Sequence, residues 1–222
     1  MKKVITIDGP AGAGKSTVSK AVAARLGYLY LDTGALYRAL AYQALKNKID
    51  VNNADALATL CSKTDVTLKN VNSKMIVFVD GHNVGDKIRT EEVGLAASTL
   101  SAFPIVRKKL LSLQQEVGAC GGIVAEGRDM GSVVFPNADA KFFLNASIEE
   151  RIRRRHEELT QKKEPVDRNA ISRDMQARDH QDSKRKLAPL SATLDAVIID
   201  STSLDVSQVV EQILARVSGK TV

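Results

Sequence analysis

The stretch Gly9-Pro10-Ala11-Gly12-Ala13-Gly14-Lys15-Ser16 limits what this chain can be more than any other. It fits G-x-x-x-x-G-K-[ST] and stands where that pattern has physical meaning. The apolar, β-rich run Val4-Ile5-Thr6-Ile7-Asp8 leads in, and a helix-forming run from Ser16 to Leu26 leads out. A loop that closes on a triphosphate needs φ > 0 and no Cβ in the way, and glycine supplies both. Successive backbone N–H groups then turn inward as an anion nest, with the positive end of the helix dipole behind them. Lys15 can reach the β- and γ-phosphates, and the Ser16 hydroxyl can ligate Mg²⁺. A nucleoside triphosphate site is the expectation.

The polar clusters that follow sit in a repeating context. Tyr28-Leu29-Tyr30-Leu31 reads as a short strand ending in Asp32-Thr33-Gly34, and Gly27 before it is a natural helix stop. Ile123-Val124-Ala125 reads as another, ending in Glu126-Gly127-Arg128-Asp129, and Lys141–Leu144 and Ala196–Ile199 complete a set of five. Helical segments alternate with these strands: Ala35 to about Lys46, one capped by Asn53, one capped by Thr90 with acidic first-turn residues, and one opened by Pro104. A basic helix is expected after Ser147, a polar break around Gln161 to Asp167, a second basic helix over roughly Ala170 to Leu187, and a closing helix from Leu204 to Val217. Short apolar strands alternating with helices predict a parallel sheet covered on both faces. Between Asp65 and Arg89 the character changes. Asp65–Lys69 and Met75–Val79 have β composition and short Asn/Gly turns, so they predict a small antiparallel insertion.

In the parallel sheet, ligands collect at the carboxyl ends of the strands, and the three polar clusters all fall there. The resulting fold class is α/β, a five-stranded parallel sheet of the P-loop NTPase type flanked by helices, with a small β-rich insertion and a helical lid. The expected division is a core over residues 1–34 and 102–222, an acceptor-binding region over 35–101 with the insertion near 65–89, and a lid over 151–186.

Charge narrows the partners. The chain of 222 residues carries a net charge of +6, and between Arg151 and Lys186 twelve Lys and Arg face seven Asp and Glu, so five of the six positive charges lie there. Arginine forks bind phosphate bidentately and stay charged. Helical spacing puts Arg151, Arg154 and Arg155 on one face, and Arg178, Asp182 and Arg185 on another, as two basic helices able to close over a triphosphate. Arg153 reads as part of a solvated face. Aromatic residues make up only 4% and there is no tryptophan, so the stacking platforms of a nucleic-acid binder are scarce and no nucleic-acid partner is expected. Cys61 and Cys120 lack metal-ligand spacing and read as reduced thiols; His82, His156 and His180 read as incidental. The short apolar run before Gly9 is not a signal peptide, and no run approaches the roughly 20 residues of a membrane span. A cytoplasmic monomer without a membrane partner is expected.

A P-loop alone could serve a GTPase, a motor, a transporter subunit or a small-molecule kinase, although the N-K-x-D guanine motif is missing. The remaining motifs decide among these by resemblance. Gly9 to Thr17, Asp32–Arg38, Ala97-Ser98, Phe103–Arg107, Gly127–Pro136, Arg178-Asp179 with Asp182 and Arg185, and Ala188-Pro189-Leu190 together resemble the bacterial cytidylate kinases. The likeness runs almost from end to end. It implies transfer of the ATP γ-phosphate to CMP or dCMP, with Mg²⁺. ATP would lie on Gly9, Pro10, Ala11, Gly12, Ala13, Gly14, Lys15, Ser16 and Thr17. Arg38, Arg128 and Arg185 would hold the acceptor phosphate, and Ser98, Arg107 and Asp129 would read the cytosine edge. Thr33, Tyr37, Arg178 and Asp182 would surround sugar and phosphate. Lys15, Arg128, Arg151, Arg154 and Arg155 would neutralise the transferring group. Many relatives carry Asp where this chain has Glu126, and the role of that residue stays open.

Overall fold

The computed structural model describes residues 2–71, 74–161 and 166–219. The chain runs through β1 (Val4–Asp8), α1 (Lys15–Leu26), β2 (Leu29–Asp32), α2 (Thr33–Lys46), α3 (Ala54–Lys63), β3 (Val66–Val71), β4 (Lys74–Val79) and β5 (His82–Asn83). It continues through α4 (Glu91–Leu100), α5 (Pro104–Gly118), β6 (Ile123–Gly127), one π-helical turn (Met130–Val134), β7 (Ala140–Asn145), α6 (Ile148–Gln161), α7 (Arg168–Lys184), β8 (Val197–Asp200) and α8 (Val206–Val217).

Five strands form one parallel sheet in the order β2-β6-β1-β7-β8. The central strand is buried on both faces, which is why its sequence is nearly continuous apolar residues rather than an alternation. On one face Ile5, Ile7 and Phe142 pack with Val18 and Val22 of α1 and Val210 and Ile213 of α8. Across the other, Leu31, Ile123 and Ala125 pack with Met130 and Val134 of the π turn. A further core joins Leu36 and Leu40 of α2 to Leu57, Val77, Leu100 and Leu110, tying α2 to α3, β4, α4 and α5. Register sets the site: Asp8 lies opposite Gly127, and Asp32 opposite Glu126, so three polar strand ends emerge side by side.

The local signals formed the expected caps. Asn53 accepts from Asp55 N and Ala56 N, Thr90 from Val93 N, and Ser147 from Glu150 N; Pro104 opens α5. The β-rich insertion is a separate antiparallel sheet, β3-β4-β5. Its third strand was not expected. Asp80 (φ 49) and Gly81 (φ 76) both take left-handed conformations, the two-residue hairpin geometry, and pair His82 with Val79. The histidine read as incidental is thus an edge-strand residue. Helix α7 starts at Arg168, capped by Asp167 through Asn169 N, and ends at Lys184, two residues earlier and three earlier than the sequence pattern suggests. The polar break expected between the basic helices falls largely on 162–165, outside the described residues. Among the described residues no helix is long and apolar enough to cross a membrane.

Candidate active site

The P-loop wraps the amino end of α1. Gly12 (φ 75) and Gly14 (φ 88) are left-handed, and Gly9 (φ 150) passes so close to β7 that a Cβ there would lie 2.0 Å from the Leu144 carbonyl oxygen. Lys15 is buried, and its Nζ donates to the Pro10 carbonyl at 2.7 Å. Burial and the Arg128 cation push its ammonium down to about 7, against the pull of Glu126. Ser16 and Thr17 are exposed, and with Ala11 to Gly14 they line a cleft of about 1530 Å³. Pro10 is buried beneath the loop. The opposite wall comes from α4, α6 and α7 and from the turn Ser201–Val206.

Three of the residues expected to bind the acceptor also face this cleft: Arg38 from α2, Ser98 from α4 and Arg178 from α7. Arg38 Nη2 donates to Asp32 Oδ2 at 2.8 Å, where Arg89 also pairs at 3.2 Å. The Nε of Arg178 has no hydrogen-bond partner, and burial with the neighbouring Arg128 lowers this guanidinium to about 10. A crowded guanidinium with an unpaired Nε beside a cleft has a donor left over for an anion.

The other acceptor-side residues are packed behind that wall in a paired network. Arg107 is ion-paired with Asp129, which also lies 3.5 Å from Arg185, while Arg128 Nε donates to Asp182 at 2.7 Å. Arg185 and Asp182 are 4.0 Å apart, and the Tyr37 ring lies 5.8 Å under Arg107. Burial pushes the Asp129 carboxyl up, opposed by Arg107, Arg185 and Arg128. Burial acts the same way on Asp182, but Arg128, Arg178 and Arg185 outweigh it and hold that carboxyl below its usual range. Thr33 is buried, its hydroxyl donating to the Glu126 carbonyl at 2.7 Å.

On α6 the three arginines separate. Arg154 and Arg155 line the cleft. Arg154 holds Glu150 and the Ser201 carbonyl (2.6 Å), and Arg155 pairs with Glu158 and reaches across to Glu91 of α4. Arg151 is buried instead. Its guanidinium donates to the Ala146 and Ala11 carbonyls at 3.0 and 3.1 Å and pairs with Asp179 of α7 at 2.6 Å. It pins the P-loop tip to the two basic helices. Arg153 pairs with Glu150 and Glu157 at the rim.

Several residues that shape the site gave no local signal. Asp8 accepts from Met130 N (2.9 Å) and Gly131 N (2.8 Å), so the strand feeding the P-loop also fixes the π turn that follows Asp129. Burial raises this carboxyl to about 6 in spite of those bonds. Only a charged residue closing an apolar strand could have hinted at it. The buried Glu126 accepts a hydrogen bond from the Tyr30 hydroxyl, which also interacts with the Ser16 side chain. That set of hard oxygens beside the P-loop fits Mg²⁺.

The geometry offers two anion cradles at the ends of adjacent parallel strands, β1 and β6, under a cover of arginines. Such an arrangement can neutralise two phosphorylated reactants and bring them together. The sequence profile of the family described as cytidylate kinase matches residues 5–219. A cytidylate kinase of Geobacillus kaustophilus is 47% identical over 216 residues, spanning 97% of this chain and 96% of its own length. One from Desulfitobacterium hafniense is 44% identical over 97% of this chain and 93% of its own. Among solved structures, a gluconokinase from Sinorhizobium meliloti superposes with a TM-score of 0.51 at 14% identity, over 98% of this chain and 92% of that one, a likeness of fold alone. Identity this high along nearly the whole length on both sides leaves one conclusion: the chain belongs to the cytidylate kinase family.

Proposed function

We propose that this protein transfers the γ-phosphate of ATP to CMP or dCMP, giving CDP or dCDP and ADP. The observation that carries the reading is the position of Asp129. Its carboxylate, held by Arg107 and Arg185, lies just past the end of β6, one strand from the P-loop. A carboxylate accepts from the exocyclic amine of cytosine, whereas uracil presents an oxygen there and would leave both groups unpaired.

In this reading the triphosphate lies on Gly9 to Thr17, with Lys15 turning from the Pro10 carbonyl to the β- and γ-phosphates. The acceptor phosphate is held by Arg38, Arg128 and Arg185. Arg107, Asp129 and Ser98 take the base edge, and Thr33, Tyr37, Arg178 and Asp182 surround the sugar and phosphate. An oxygen of the acceptor phosphate attacks the γ-phosphorus as the bond to the β–γ bridging oxygen breaks. The attacking oxygen is already anionic, so no general base is needed. Arg154 and Arg155 neutralise the transferring group, and Arg151 positions the loop through Ala11. Mg²⁺, bound with ATP, would be held by Ser16 with Glu126 behind it and would supply further charge neutralisation. Residues 35–101 serve as the acceptor-binding region and 151–186 as a lid, in a cytoplasmic monomer that takes nucleotides rather than nucleic acid.

ADP formation from ATP, measured in parallel with CMP, dCMP, UMP, AMP and GMP, tests the proposal. Turnover confined to CMP and dCMP is expected, and Asp129→Ala should depress it far more than it weakens ATP binding. Efficient turnover of a different acceptor, or unchanged CMP kinetics in Asp129→Ala, would overturn the assignment.

A further inference from the structure

Gln181 of α7 and Ser98 of α4 meet across the cleft wall. The Gln181 Nε2 donates to the Ser98 carbonyl at 2.9 Å, and the Ser98 Oγ lies 3.4 Å from Gln181 Oε1. Both side chains line the cleft beside Arg38 and Arg178. Their chemistry removes the usual ambiguity of an amide and a hydroxyl. A backbone carbonyl cannot donate, so the amide nitrogen must face it. The amide oxygen then faces the serine hydroxyl and can only accept. The contact is long at 3.4 Å, so it biases rather than fixes the Ser98 proton toward Gln181 and leaves a lone pair toward the cleft. The Ser98 carbonyl is braced independently by the Ser101 hydroxyl at 2.7 Å, which keeps this end of α4 in place.

We propose that Gln181 is a specificity-determining, positioning residue. By offering the Ser98 hydroxyl an acceptor it biases Ser98 toward accepting from the base, favouring the cytosine amine over the uracil carbonyl. The inference rests on the proposed function, in which the base edge comes to Ser98. It adds a second level of discrimination to the Asp129 carboxylate, acting through Ser98.

The test compares kcat/KM for CMP and UMP in Gln181→Met and Gln181→Glu. The Met side chain has similar length and only a weak thioether acceptor in place of the amide oxygen, so the Ser98 hydroxyl is freer to rotate and donate to uracil. The CMP-to-UMP ratio should fall about 10-fold, through loss of CMP efficiency with UMP held or raised. A carboxylate still only accepts, so Gln181→Glu should keep the ratio within about twofold of the parent even though its contact with the Ser98 carbonyl is lost. In a Ser98→Ala background, Gln181→Met should change the ratio no further. Gln181→Ala carries the same expectation as the Met variant if the latter folds poorly, with thermal melting as the control. An effect through packing alone would lower both acceptors together and leave the ratio unmoved. An unmoved ratio in the Met and Ala variants, or an equal collapse in the Glu variant, would overturn the inference while CMP turnover by the parent protein leaves the proposed function standing. Absence of CMP turnover in the parent would remove both.

Discussion

Arg128 donates from Nε to Asp182 at 2.7 Å, joining the turn after β6 to the last turns of α7. The carboxylate is almost fully buried and is also approached by Arg185. Removing it would leave several guanidiniums facing one another in a poorly solvated space. Asp182→Asn should therefore cost about 3 kcal/mol at neutral pH, read from urea unfolding. The folded-state pKa is depressed, so the stabilisation is complete above the ordinary value of 3.8 and is lost as pH falls through the lower folded value. The gap between parent and variant should be flat from neutral pH down to the carboxylate range and close only in stronger acid. A gap that closed near neutrality would assign the effect to another group.

Lys15 gives a prediction of opposite sign. Its pKa in the free protein is pushed down to about 7, and polyphosphate anions raise it again on binding. ATP binding above that pH should take up as much as about one proton, and the uptake should vanish as pH falls well below 7. Titration calorimetry in two buffers of different ionisation enthalpy reads the number directly. Lys15→Arg, which stays charged, should bind ATP without uptake. Identical heats in both buffers on the alkaline side would contradict the expectation.

Gly9 is a steric requirement before it is a functional one. Any Cβ would strike the Leu144 carbonyl of β7 at 2.0 Å, and backbone rather than a flexible side chain would have to yield. Gly9→Ala should lower the melting temperature by roughly 10 °C, consistent with about 3 kcal/mol of overpacking and strain. A variant that melts with the parent would mean that β7 gives way without penalty.

Glu91 competes for a cation that faces the cleft. Its ion pair with Arg155 links α4 to α6 across the opening. Both partners keep substantial solvent contact, so the pair is weak. Glu91→Ala should lower the KM for ATP up to about threefold at low ionic strength, an effect that fades as salt screens the site. A raised KM would indicate that the pair assembles the site rather than occupying it.

What could be read from the sequence was what short-range chemistry decides. The P-loop glycines, the Asn53 and Thr90 caps and the apolar strands each carry their reason within a few residues. The β5 strand was missed although Asp80-Gly81 is a local hairpin signal, because two residues are too short for a period to register. The π turn could not be read at all. It is held by the Asp8 carboxylate, 122 residues away in sequence from Met130. Helical spacing put Arg151, Arg154 and Arg155 on one face. It could not distinguish the cation that reaches the Ala11 carbonyl and Asp179 from those that line the cleft. Asp129 was legible as a polar residue at a strand end, but the base-edge role of Ser98, Arg107 and Asp129 rested on resemblance; the Arg107–Asp129 and Ser98–Gln181 pairs exist only once α4, α5, β6 and α7 have packed.

The sheet order has a further meaning. The strand that carries the P-loop and the strand that carries Arg128 and Asp129 are hydrogen-bonded neighbours, with Asp8 abreast of Gly127. Neighbouring strands sit about 4.8 Å apart wherever they occur, so a backbone ladder fixes how far apart these two strand ends emerge, whatever side chains follow them. In the proposed function, side chains from α2, α4, α5 and α7 seat the acceptor on that frame.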